Sequence, residues 1–213
     1  MKLSVIIFCL FLSPGIVTNC FSQTIVAAWK TAAGVEEEHP ATTTNKNVET
    51  AILSRGPGLS YKNTSTYSYV STFPIGQDKA TAKAENVYYQ VIIRAKEGHK
   101  ISLSTLDSRV RRSSSASVRY YRWSYSLNGS DFKEIGNRDI LVKSTAKEDT
   151  TGENQVTIDL SAIPDLQNIP SSTTITSRMY AWGGKSVSAN FGFGKSKFPG
   201  NSVNTLSFGG VIK

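Results

Sequence analysis

The chain has 213 residues, 24 Lys and Arg against 16 Asp and Glu, and a formal charge of +8. Its only cysteines are Cys9 and Cys20 and its only histidines His39 and His99. That composition excludes a disulfide-dense scaffold and a histidine- or thiolate-rich metal protein.

The N-terminus carries the first readable element. Lys2, the apolar run Leu3 to Leu12, the breaker Pro14-Gly15 and the exit Cys20-Phe21-Ser22-Gln23 have the form of an export signal. The apolar run is too short to span a bilayer, and no later stretch has that length. Residues 1–22 are therefore expected to be removed, leaving residues 23–213 as a single domain. Both cysteines leave with the signal, so no disulfide is expected to brace the fold. Lipid attachment at Cys20 is the minor alternative, because Asn19 stands where a small residue is usual. The expected destination is the periplasm or the exterior. There a cationic surface meets anionic polysaccharide, although net charge also serves solubility alone.

Amphipathic helical periodicity is nearly absent. Short alternating runs of Val, Ile, Thr, Tyr and Phe are separated by Gly, Asn, Asp and Ser clusters, which predicts an all-β, two-sheet antiparallel sandwich. The first strand is expected at Thr24 to Trp29, followed by a polar loop around Glu36 to Asn47. Arg55-Gly56-Pro57-Gly58 interrupts two short strands between Val48 and Tyr61. Over Asn86 to Ala95, Val87, Tyr89, Val91 and Ile93 point one way and Tyr88, Gln90, Ile92 and Arg94 the other. Glu97-Gly98 turns the chain into a strand from His99 to Leu106. Ser117 to Ile135 reads as a hairpin with arms at Val118 to Leu127 and Phe132 to Ile135. Its Asn128-Gly129 turn suits a tight connection. Further strands are predicted at Asp139 to Ser144, Gln155 to Leu160, Thr173 to Trp182, Ser186 to Phe193 and Asn204 to Ile212.

Several of these segments occur in a characteristic order. They are Gly56-Pro57-Gly58-Leu59, Ile101 to Leu106 with Arg111-Arg112-Ser113-Ser114, and Ser126-Leu127-Asn128-Gly129. Asp159-Leu160-Ser161, Thr174 to Tyr180 and Phe208-Gly209-Gly210-Val211 complete the set. The order resembles an uncharacterised secreted module of Bacteroidota. That resemblance implies a jelly-roll-like sandwich similar to carbohydrate-binding modules and implies no defined activity. Such modules often precede a C-terminal sorting domain, whereas Lys213 follows the last strand here, so a free periplasmic or released protein is expected.

Residues suited to chemistry are few. The histidines lack metal-site spacing, and Glu36-Glu37-Glu38 reads as a solvated loop. A structural calcium ion is left open; no other cofactor is expected. No G-x-S-x-G elbow occurs. Asp107, Asp131, Glu134 and Asp159 each have simpler structural roles than paired catalytic carboxylates.

The strongest binding signal is the Arg-aromatic segment. Arg119, Tyr121, Trp123 and Tyr125 share one face of a strand, with Arg111 and Arg112 just upstream. Rings stack on sugar faces and guanidinium groups fork onto carboxylate or sulfate. Core packing is the heavier reading for the rings. Tyr180 and Trp182, before Gly183-Gly184, form a second aromatic group, with a core lid as the plainer role.

These features point to an exported, non-catalytic glycan-binding or surface-associated protein that recognises polysaccharide, with a preference for anionic chains. A jelly-roll polysaccharide lyase and a purely structural or adhesive protein are the alternatives. Nucleic acid is the weakest partner and is not expected.

Overall fold

The computed structural model describes residues 24–31, 38–61, 67–143, 152–195 and 203–213. The expected signal 1–22, with Cys9 and Cys20, lies outside the described residues, as does the Glu36-Glu37 part of the acidic run. In chain order the strands begin with β1 (Thr24–Trp29), β2 (His39–Pro40), β3 (Thr43–Thr44), β4 (Ile52–Arg55), β5 (Ser60–Tyr61) and β6 (Tyr67–Thr72). Helix α1 (Lys79–Ala84) leads to β7 (Tyr88–Ile93), β8 (Lys100–Arg112), β9 (Tyr120–Ser126), β10 (Lys133–Glu134) and β11 (Ile140–Leu141). The remainder are β12 (Glu153–Asn154), β13 (Ile158–Asp159), β14 (Ile169–Pro170), β15 (Ile175–Trp182), β16 (Asn190–Lys195) and β17 (Leu206–Ile212).

The strands form two antiparallel sheets packed face to face, the predicted sandwich. One runs β3-β1-β17-β8-β16-β6-β5, with β12, β13 and β14 pairing successive stretches of β8. The other runs β10-β9-β15-β7-β4-β2, with β11 also on β9. The core lies between them. Tyr69, Tyr89, Trp123, Phe191, Phe193 and Phe208 are its large fully buried rings, together with Trp29 and Tyr121. Phe193 sits 5.2 Å from Tyr89 and 6.3 Å from Trp123, ring centre to ring centre, so the layers interlock through aromatic contacts. Each such ring removed from water contributes about 1.5–3 kcal/mol.

β7 follows the predicted alternation. Val87, Tyr89, Val91 and Ile93 are buried, while Gln90, Ile92 and Arg94 reach the outer face. The Gly56-Pro57-Gly58-Leu59 segment has a steric cause: a side chain at Gly56 would collide with Asn86 O and the Tyr88 ring. Gly56 N instead donates to Tyr88 O at 2.8 Å and Gly58 N to Asn86 O at 3.2 Å.

Three expectations need revision. The polar Glu36 to Asn47 stretch is not all loop, because β2 and β3 form within its described part. The strand predicted to end at Leu106 continues to Arg112. The hairpin at Ser117 to Ile135 exists, but its turn is longer than a two-residue connection. Lys133 pairs with Tyr125 and Glu134 with Ser124, leaving a loop built on the Asn128 side chain. Asn128 Oδ1 accepts from Ser130 N at 3.0 Å and Asp131 N at 2.9 Å, and only Gly129 takes a positive φ, 79°.

Helix α1 carries no readable period because it spans fewer than two turns. Asp78 caps it, its Oδ1 accepting from Thr81 N at 2.8 Å. Among the described residues no helix is long and apolar enough to cross a membrane.

Candidate functional site on the outer face of the second sheet

Strand β9 fixes which predicted residues can meet a ligand. Tyr121 and Trp123 are 0% exposed and Tyr125 5%, so their face is the core and does not form a platform. The rings fill the space between the sheets. Arg119 is exposed but precedes β9 and lies over the Tyr120 ring at 5.5 Å, away from any shared surface with those rings. Arg111 and Arg112 belong to the first sheet. Arg112 donates to Ser115 O at 2.8 Å and Ser117 O at 3.1 Å, which ties down the Arg-Arg-Ser-Ser turn. None of these six forms an exposed Arg-aromatic row.

Tyr180 and Trp182 do lie on the outer face of the second sheet. They are 4% and 7% exposed, because α1 packs on β15 above them. Tyr180 meets Tyr88 edge to face at 5.4 Å, and Trp182 stacks on Tyr120 at 6.3 Å. They are the covered end of this face and give no free ring for sugar stacking.

Strand register continues the face past that covered end. Glu134 opposes Ser124, Ser124 opposes Arg178, Arg178 opposes Gln90, and Gln90 opposes Ser54. This transverse row is polar throughout. Arg178 is its centre, two residues along β15 from Tyr180. Its guanidinium carbon lies 4.0 Å from the centre of the Tyr88 ring and 3.9 Å from that of Phe132, so it is held between two aromatic rings. Arg178 Nε donates to Gln90 Oε1 at 2.9 Å and Nη1 to Tyr180 Oη at 3.4 Å. Among the described residues Arg178 has no ion pair. Beside it Ser124 Oγ is buried with no hydrogen-bond partner among the described residues.

The charge beside Arg178 is already committed. Glu134 receives Lys83 at 2.5 Å, Arg122 at 3.0 Å and Lys79 at 3.3 Å. The Lys83 hydrogen bond, more than any other contact, lowers the Glu134 carboxyl to about 2. Arg122, nearly buried, also donates to Gly136 O at 2.9 Å and to Arg138 O. Lys79 reaches Asp139 at 2.9 Å as well. This network anchors α1 and the 135–139 loop to the sheet. Arg178 is left as a rigid, half-buried cation facing outward.

A cavity of about 440 Å³ adjoins the row, lined by Tyr125, Ser126, Leu127, Asn128, Asp131, Lys133, Asp165 and Thr173. Tyr125 thus takes part in the site through its hydroxyl end, which donates to Asp165 Oδ2 at 2.9 Å. A second cavity of about 480 Å³ opens at Arg55 and Tyr61, but its guanidinium is occupied by Ser71 Oγ at 2.8 Å and Val70 O at 3.0 Å.

Chemically, ring stacking consumes the faces of the Arg178 guanidinium and leaves N–H edges for an anion. Neither histidine joins it. His39 is buried at β2 beside Tyr69, and His99 lies in the turn before β8. No three His, Cys, Asp or Glu gather for a metal among the described residues.

Sequence reasoning passed over Arg178, although it stands in the Thr174 to Tyr180 segment. The usable signal was period-2 spacing, which puts Arg178 on the same face as Tyr180 and Trp182. Comparison with protein-family models, curated proteins and solved structures returns no match.

Proposed function

We propose that this is an exported, non-catalytic glycan-binding module of the secreted Bacteroidota type, which holds anionic polysaccharide on the outer face of its second sheet. The observation that carries this reading is Arg178, fixed between Tyr88 and Phe132 with no carboxylate partner among the described residues. A guanidinium pre-oriented by stacking loses little rotamer freedom when it forks onto a carboxylate or sulfate. Ser54 and Gln90 extend the same row as hydroxyl and amide partners for sugar hydroxyls. The chain's positive charge adds long-range attraction for a polyanion.

A lyase needs a proton-transfer group beside the cation that neutralises the uronate. Tyr180 Oη accepts from Arg178 Nη1 at 3.4 Å, but Tyr180 is only 4% exposed. Binding without turnover is therefore the favoured reading.

The test is affinity electrophoresis of the mature chain through gels carrying a polyuronate or the same polymer with its carboxyls reduced. Retardation by the acidic polymer alone is expected. Equal mobility in every gel would remove the binding function and leave a structural or adhesive one. Appearance of an ultraviolet-absorbing unsaturated product would establish the lyase.

A further inference from the structure

We infer that the cavity beside Arg178 is a subsite for a neutral, hydroxyl-rich sugar, so that the preferred ligand alternates anionic and neutral residues. This rests on the glycan-binding reading above and adds the ligand's chemical class.

One loop links the Arg178 row to the cavity. The β9–β10 loop sends Phe132 over Arg178, while its neighbours Asp131 and Lys133 line the cavity. Ser126, also in the lining, is two residues along β9 from Ser124, the residue opposite Arg178. One sugar chain crossing Phe132 would therefore touch both. A volume of about 440 Å³ falls within the range of small-ligand sites.

The two halves have opposite electrostatic character. Arg178 offers a positive charge that no carboxylate among the described residues pairs with. In the cavity Lys133 Nζ is taken by Asp165 Oδ2 at 2.6 Å, and this contact holds the Asp165 carboxyl below the usual carboxylate range. Among the described residues Asp131 has no ion pair, and its Oδ2 accepts from Asn128 Nδ2 at 2.6 Å. A carboxylate or sulfate entering the cavity meets like charge. A sugar hydroxyl meets acceptors at Asp131 and Asp165, hydroxyls at Ser126 and Thr173, and the Tyr125 side chain. Charge of one sign at Arg178 and the other in the cavity discriminates by repulsion as well as attraction.

The experiment uses the mature chain and two probes of matched length, hyaluronan (alternating uronate and N-acetylhexosamine) and polygalacturonate (uronate throughout), with affinity read by calorimetry. Hyaluronan is expected to bind about ten-fold more tightly. Asp131→Asn keeps the loop's shape and removes the charge, so it should raise polygalacturonate affinity and narrow that gap; Arg178→Gln should weaken both polymers. Asp131 is exposed, and an unchanged melting temperature will show that its variant folds. Equal affinity for the two polymers, or an Asp131→Asn variant with an unchanged ratio, overturns the neutral subsite and leaves the Arg178 reading standing. Failure of both polymers to bind overturns the two together.

Discussion

Trp123 and Phe208 meet edge to face across the sandwich, with ring centres 6.3 Å apart and planes at 89°. The contact joins the two sheets and assigns the β9 aromatic run to stability. Trp123→Ala should lower unfolding free energy by about 3–5 kcal/mol in denaturant titration, because a fully buried indole leaves a cavity. A stable Trp123→Ala variant with weakened glycan affinity would return that ring to the surface.

Glu134 makes a pH prediction with a definite sign. Its carboxyl is lowered from 4.5 to about 2, chiefly by the Lys83 hydrogen bond. A depressed folded value means its stabilisation is complete above 4.5 and fades as pH falls towards 2. Glu134→Gln should cost about 1–3 kcal/mol at neutral pH, since nearly buried Arg122 loses its ionised partner. The gap between wild type and variant should close over the acid range. A gap that does not change with pH would contradict the ion-pair assignment.

His39 makes a second pH prediction, again with its pKa lowered by the fold. Burial, more than any other factor, lowers its pKa, and the Arg55 charge acts in the same direction. Tyr69 faces it at 6.0 Å between ring centres, its own hydroxyl raised to about 12 by burial. The folded chain therefore favours neutral imidazole, and stability is complete above the ordinary value of 6.5 and declines as pH drops below it. His39→Gln should flatten that slope in thermal melts taken from pH 6.5 towards about 5. An identical slope in the variant would show that His39 is accessible to protons in the fold.

Alternation was readable wherever one face of a strand is plainly apolar, and β7 is the clearest case. It failed where the inward positions are polar. β8 keeps Ser108 buried between Leu106 and Val110, and that serine hid the strand's second half. Strand β9 was ambiguous for the opposite reason, with rings on both faces at Tyr120 and Tyr121. Nothing local says which of those faces meets the other sheet. The Arg178 site lay further out of reach, because Tyr88, Phe132 and Arg178 come from three separate segments that only strand register unites. Residue types were visible in the chain; their juxtaposition depends on pairing β15 with both β7 and β9.

The most direct measurement compares wild type and Arg178→Gln for calorimetric binding to an acidic polysaccharide at low salt. The variant gives up the contacts of Arg178 with Tyr88 and Phe132 but breaks no ion pair among the described residues, so it should stay folded and melt a few degrees below wild type. A loss of at least about ten-fold in affinity is expected, the cost of removing a charge-assisted fork from the anion. Undiminished affinity in a folded Arg178→Gln chain would contradict the account.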